Sequence, residues 1–235
     1  EKELGELKSR FVAMASHEFR TPLTIIQASV DLLDQYSNRI DADNKAKYLR
    51  EISREVSNIT ELLDGILTIG RAEAGRLEFR PALINLHLLC ADLVEKAKLA
   101  ANPGHVLTLN WTGTRDDVVL DEQLVRNIVS NLLSNAVKYS PDGGLVRFEI
   151  TREEKQVRLV VSDAGIGIPE QGRERIFEAF HRFPNVGAIS GTGLGMAILK
   201  RAVERHGGEI GFESTEGEGT TWRVTLPLPV LPGQS

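Results

Sequence analysis

Along the first 75 residues the apolar positions recur at helical spacing. One stripe runs Leu4, Leu7, Phe11 and Ala15, then Ile25, Ile26, Leu32 and Leu33. A second runs Tyr48, Ile52, Val56, Ile59, Leu63 and Ile66. The second alternates steps of four and three, the seam of an amphipathic helix. Asn38, Asp41, Asp43 and Asn44 lie between the stripes and read as a turn and cap region. The pattern therefore predicts a hairpin of two long helices over residues 1–75, with Gly75 as its C-cap. A lone helical hairpin buries little apolar area. A second copy would hide both seams in a four-helix bundle, so a homodimer through this region is expected. The alternative is a hairpin packed on the rest of its own chain.

Near residue 82 the texture changes. The sequence predicts a helix over 86–101, a strand over 105–112 and a helix over 121–138, with Val118 and Val119 ahead of it. Strands at 145–151 and 156–162 flank a short polar run, as in a hairpin. Glycine-rich loops and two helical stretches come next, then strands at 209–214 and 220–226. This mixture predicts an α/β sandwich: a mixed sheet with helices on one face, in a chain that is α+β overall. The tail 227–235 holds three prolines and is expected to fray. The predicted domains are 1–75 and 82–235.

Composition narrows the function. The 235 residues are 41% hydrophobic and 26% charged, as in an ordinary globular chain with a sizeable core. A net charge of -5, with no concentrated basic run, argues against nucleic-acid binding, which relies on clustered Lys and Arg. The single cysteine, Cys90, cannot form an internal disulfide and sits in the apolar string LHLLCADLV, so a buried thiol is expected. No apolar run is long enough to cross a bilayer, and no signal-peptide pattern opens the chain. The first residue is Glu1. These features predict a cytoplasmic stretch without membrane contact of its own, taken from a longer protein whose sensor region lies elsewhere.

Four strings carry candidate chemistry. Asp163-Ala164-Gly165-Ile166-Gly167 follows a strand; its glycines permit close backbone approach, and its carboxylate can accept from an exocyclic amine. Taken alone it is equally a plain loop turn. Gly191-Thr192-Gly193-Leu194-Gly195 opens a helix, whose free N–H groups and positive dipole end suit a phosphate. The spacing is neither a Walker A loop nor a convincing dinucleotide fingerprint. Asn131 and Asn135 lie one helical turn apart, with Lys138 and Tyr139 at the same helix's end. An amide oxygen is a suitable ligand for Mg2+, and capping or buried hydrogen bonding is the plainer alternative. Finally, His17 is followed by Glu18. A neutral imidazole is a competent nucleophile, a neighbouring carboxylate can take its proton, and Pro22 would kink the helix just beyond. Thr21 lies one turn from His17 on the same side. An isolated surface histidine is more often merely solvated.

Together these strings resemble the sensor histidine kinases of two-component systems, in the family's order and over nearly the whole chain. SHEFRTPL is similar to the H box, NLLSNAVKYSP to the N box and DAGIGIP to the G1 box. FEAFHRF is similar to the F box, GTGLGMAI to the G2 box and GEGTTWRVTLPL to the closing glycine motif. Phe19, Ala164 and Met196 depart from the family's usual residues without removing a functional group. The stretch between Arg182 and Gly191 is short.

The resemblance implies a dimerisation and histidine-phosphotransfer domain followed by a catalytic domain of the type shared with gyrase, Hsp90 and MutL. It implies His17 as phospho-acceptor, Glu18 as its acid/base partner and Thr21 in dephosphorylation of a partner regulator. Asn135 would hold Mg2+. Asn131, Lys138 and Tyr139 would surround ATP, Asp163 would recognise the adenine amine, and Gly165 and Gly167 would give it room. Arg182 would approach the γ-phosphate, with Gly191, Thr192, Gly193, Leu194 and Gly195 bordering the phosphates. A response-regulator receiver domain would be the partner. The rivals are an ATPase clamp or chaperone, a serine kinase of the same nucleotide fold, and a scaffold without activity. The H box, the long hairpin and the retained Asn135, Asp163 and glycine loops respectively argue against them.

Overall fold

A computed structural model describes residues 2–35, 40–187, 189 and 191–229, with side chains from residue 13 onward except Glu73. The side chains of Leu4, Leu7 and Phe11, residue Asn38 and the tail from 230 lie outside the described residues. The chain divides into two compact units, Glu1–Arg71 and Ala72–Ser235.

The first unit is the helical hairpin. Helix α1 spans Lys2–Gln35 and stays helical through Pro22; α2 spans Ala42–Glu73. Asp41 starts α2 by accepting from the backbone N–H of Asn44 at 2.8 Å and from its side-chain amide at 2.7 Å. Those two bonds, the backbone one first, hold the Asp41 carboxyl below its ordinary pKa. Gly75 closes the end of α2 at φ +65°, its N–H bonded to Ala72 O.

The second apolar stripe divides between two faces. Leu62 and Ile69 are buried, with Ile52, Ile59 and Ile66 half-buried beside them. Leu49, Val56 and Leu63, seven residues apart, are each about half exposed, as are Leu23 and Val30 on α1. An uncovered apolar row at heptad spacing is the geometry of a coiled-coil seam. Among the described residues no helix is long and apolar enough to cross a membrane.

The second unit is a sheet with helices against one face. Strands β1 (Ala82–Asn85) and β3 (Asp117–Leu120) form a small antiparallel pair. Helix α3 spans Leu86–Ala100, capped by Asn85, and β2 spans His105–Thr112. Helix α4 (Glu122–Lys138) is capped by Asp121. Next come β4 (Gly144–Arg152), β5 (Gln156–Asp163), α5 (Gly195–Arg205), β6 (Glu209–Thr215) and β7 (Gly219–Pro227). The main sheet has the order β2-β4-β5-β7-β6, with only β2 and β4 parallel.

Strand alternation separates the two sheet faces. Phe148 and Ile150, Val157, Leu159 and Val161, and Trp222, Val224 and Leu226 are buried, while Arg147, Arg158 and Arg223 between them are exposed. Leu124, Val125, Ile128, Val129, Leu132, Leu133 and Ala136 of α4 enter the same core. Cys90 is buried there too, and burial pushes its thiol up to about 12.

Two sequence expectations need correction. The short β1 was not anticipated; four residues ending in Asn carry too little alternation to announce a strand. Of the two helical stretches expected among the glycine loops, only α5 is an α-helix. The rest of that region holds two 3-10 turns, Arg173–Arg175, entered through left-handed Gly172, and Pro184–Val186. Pro169, Gly172 and the clamp of Arg173 on the carbonyls of Pro169, Ile168 and Ser214 keep the first of them from winding further.

Leu132 is fully buried. Leu132→Ala should cost about 2–5 kcal/mol. Both tryptophans, Trp111 and Trp222, lie in this unit, so urea unfolding followed by their fluorescence reads it directly. A loss under about 1 kcal/mol, far below that range, would contradict the packing described.

Candidate functional site

The site in the second unit is built around the last turn of α4. Tyr139 O there accepts from the backbone N–H of Ile166 at 2.9 Å. This draws the Asp163–Gly167 loop against the helix end. A Cβ on residue 165 would lie 2.2 Å from Tyr139 O, and one on residue 167 would lie 2.1 Å from Thr215 O. Gly167 also sits at φ +64°. Glycine is required at both places by space, and at 167 by conformation as well.

Asp163 is held by its neighbours. Its Oδ1 accepts from the backbone N–H groups of Gly165 at 3.0 Å and Thr220 at 3.2 Å. Burial raises its carboxyl above the ordinary value, and these two hydrogen bonds act in the opposite direction. With Oδ1 engaged twice, Oδ2 is the oxygen available to an outside donor. Thr220 is a site residue that sequence reading missed. Its only signal is its place in the GEGTTWRVTLPL string, where the backbone N–H rather than the side chain does the work.

Helices α4 and α5 meet beside this loop. The Asn135 amide nitrogen donates to Met196 Sδ at 3.1 Å, which leaves its Oδ1 to ligate a hard cation. The donor set fits Mg2+ of the kind completed by phosphate oxygens and water, since one protein oxygen suffices there. Asn131 also lies at this junction of helices. It donates back to Asn127 O at 2.7 Å, and its Oδ1 would lie 2.4 Å from any Cβ on residue 195. It spaces the two helices where Gly195 begins α5.

The phosphate-loop candidates converge with Lys138 and Tyr139. The Lys138 ammonium lies 5.0 Å from the Tyr139 ring centroid and occupies the position that a Cβ on residue 191 would take. Leu194 N–H donates to Thr192 Oγ1 at 3.3 Å, tightening the turn into α5. At the start of that helix the N–H groups of Gly195, Met196 and Ala197 have no intrahelical acceptor. Gly193, at φ +69°, accepts on its carbonyl from Phe180 N–H at 3.0 Å. Phe180 is itself left-handed at φ 63°, the only non-glycine with positive φ among the described residues. Arg182 is exposed and donates to Ile189 O. Burial raises the Tyr139 phenol, and the Arg182 charge partly offsets that rise. A further unforeseen contact is Asn185, which donates to Gly167 O at 3.1 Å.

His17, Glu18 and Thr21 stand on α1, in the other unit. The His17 side chain is 73% exposed, and its Nδ1 lies 3.4 Å from Glu18 Oε1. Thr21 is also exposed. The structure thus groups the Asn131–Tyr139, Asp163–Gly167 and Gly191–Gly195 residues with Arg182, and sets the imidazole separately on a helix surface.

Two family profiles match. Residues 7–75 match the His Kinase A (phospho-acceptor) domain, and residues 120–230 match the histidine kinase-, DNA gyrase B- and HSP90-like ATPase. The chain is 31% identical over 234 residues to the sensor histidine kinase WalK of Bacillus subtilis, which covers 97% of this chain but 38% of that protein. It thus spans well under half the length of that relative. The structure of full-length ShkA in complex with AMPPNP is 25% identical, with a TM-score of 0.66 over 94% of this chain and 46% of that one. The histidine kinase ThkA, solved in complex with the response regulator TrrA, shares the fold: TM-score 0.71 at 22% identity, over 96% of this chain and 63% of that one.

Gly165→Ala should push the Asp163–Gly167 loop off the end of α4. Hydrogen exchange of the Ile166 amide should speed up at least tenfold, whereas Gly70→Ala, with open space around its Cβ, should leave that amide unchanged. Equal protection of Ile166 in wild type and Gly165→Ala would refute the close approach.

Proposed function

Because the chain belongs to the sensor histidine kinases, we propose that it uses ATP and Mg2+ to phosphorylate its own His17 and then passes the phosphoryl group to an aspartate of a response regulator. The observation that carries this reading is the exposed imidazole with a carboxylate on one ring nitrogen, in a chain that also holds a half-buried, glycine-flanked Asp163. A plain ATPase has no use for the first, and a scaffold has no use for the second.

Asp163 Oδ2 accepts from the adenine amine, while Gly165 and Gly167 leave room for the base. The free N–H groups at the start of α5, with Lys138 and Arg182, receive the phosphates. Asn135 Oδ1 ligates Mg2+, which when bound neutralises charge on the phosphate oxygens. At His17, Glu18 accepts from Nδ1–H and so keeps the Nε2 lone pair available as nucleophile. The Nε2–P bond forms as the bond from the γ-phosphorus to the ADP oxygen breaks, and the Nδ1 proton moves toward Glu18. The chemistry is largely positioning and charge neutralisation, which is why the site consists of backbone N–H groups, cations and one amide oxygen.

The uncovered heptad row of Leu49, Val56 and Leu63 supports a homodimer through the hairpin. The ThkA complex with TrrA supports a receiver-domain partner. Thr21, exposed and four residues past His17, would orient water against a phosphorylated regulator.

Incubation with γ-labelled ATP and Mg2+ should give acid-labile, alkali-stable label on the protein. His17→Gln should lose it entirely; label persisting there would exclude the nucleophile assignment. Asn135→Ala should reduce labelling at least a hundredfold, and near-normal labelling would refute the metal role. Thr21→Ala should label normally yet dephosphorylate the regulator at least tenfold more slowly. An unchanged phosphatase rate would count against the role given to Thr21.

A further inference from the structure

Between the end of α2 and β1 the chain forms a short strap over the second unit, and its anchors are buried. Asp121 is 6% exposed and His206 is 7% exposed. Asp121 Oδ2 accepts from the backbone N–H of Arg80 at 2.7 Å, while its Oδ1 accepts from Leu124 N–H at 3.0 Å as the cap of α4. Asp121 N–H donates to His206 Nε2 at 3.2 Å, and His206 Nδ1 bonds Ala202 O at 2.9 Å. The Phe79 ring stands edge-on to the His206 ring with centroids 5.1 Å apart, and the Arg205 guanidinium lies 6.0 Å from the Phe79 centroid. Leu77 packs on the core.

These anchors share one property: Asp121 starts α4, and His206 ends α5. The two helices are antiparallel neighbours joined again at their opposite ends. There Asn131 abuts Gly195, and Asn135 donates to Met196 Sδ. One end of the pair holds the strap; the other carries the metal-ligating amide and the start of the phosphate loop. Along α4, Asp121 and Asn135 are fourteen residues apart, about 21 Å of helix. A packed helix pair pinned at both ends offers a route between them, because close-packed side chains deform little.

We propose that strap and nucleotide site are coupled through this pair: nucleotide tightens the strap's dock on Asp121 and His206, and a docked strap raises nucleotide affinity. His206 accepts from Asp121 N–H only as a neutral ring. Burial lowers its pKa, with the Ala202 carbonyl and the Asp121 charge acting in the opposite direction. The latch is therefore a set of neutral and charge-assisted hydrogen bonds with one aromatic contact. The coupling rests on the nucleotide-binding reading above.

Linkage makes the two effects equal in factor. In the full chain, saturating AMPPNP with Mg2+ should slow hydrogen exchange of the Arg80 amide at least fivefold. Phe79→Ala should weaken AMPPNP binding by a similar factor, and Phe79→Tyr, which keeps the ring, should restore it. Unchanged Arg80 exchange while AMPPNP binds, or wild-type affinity in Phe79→Ala, would overturn the coupling and leave the kinase reading intact. Absence of any AMPPNP binding by the wild-type chain would overturn both. Should Phe79→Ala fail to fold by circular dichroism, Arg80 exchange in the wild type decides alone.

Discussion

The site depends on one close approach, that of the Asp163–Gly167 backbone to the end of α4. The Ile166 N–H reaches Tyr139 O only because residue 165 has no side chain. That contact fixes the end of β5 against the helix that presents Asn135 and Lys138. Gly219 makes the matching accommodation on β7: a Cβ there would lie 2.0 Å from Asp163 O. The Asp163 carboxylate and the Lys138 ammonium are therefore held in one frame by packing. A preorganised frame suits phosphoryl transfer, where the protein contributes orientation and electrostatics more than covalent chemistry.

The two units divide this work. The second holds donors and acceptors whose partners are largely backbone groups, so their positions are set by strand register and helix caps. The first presents an imidazole on an open helix surface beside one carboxylate. Exposure suits the role proposed for His17, in which the ring meets a nucleotide and then an aspartate. The half-exposed aliphatic row at Leu49, Val56 and Leu63 gives the hairpin a reason to pair, and Leu62 and Ile69 give it a separate inner seam.

Much of this was legible in the sequence, and what was not has a physical cause. Helical periodicity announced α1 and α2, and the polar run between two apolar stretches announced the β4–β5 hairpin. The glycines of the nucleotide loops stood out because few other roles demand so many. Strand β1 was illegible because four residues carry no period. Only one of the two helical stretches expected among the glycine loops is an α-helix, because Pro169 and left-handed Gly172 keep the segment at Arg173 to a single 3-10 turn. Periodicity merged two faces of α2 into one stripe, since steps of three and four cannot separate seams that adjoin. Asn131 was legible as an unusual helix residue, but its packing against Gly195 depends on a helix over sixty residues away. Thr220, Asn185 and the Asp121–His206 anchor act through backbone groups or long-range contacts, which no local pattern records.

The account stands on phosphorus becoming bonded to one nitrogen of one ring. Phosphorus-coupled NMR of the chain after incubation with ATP and Mg2+ reads that bond directly. The account predicts a single phosphoramidate on His17 Nε2, with Nδ1 still facing Glu18. Phosphorus on Nδ1, on a hydroxyl oxygen or on another residue would contradict it.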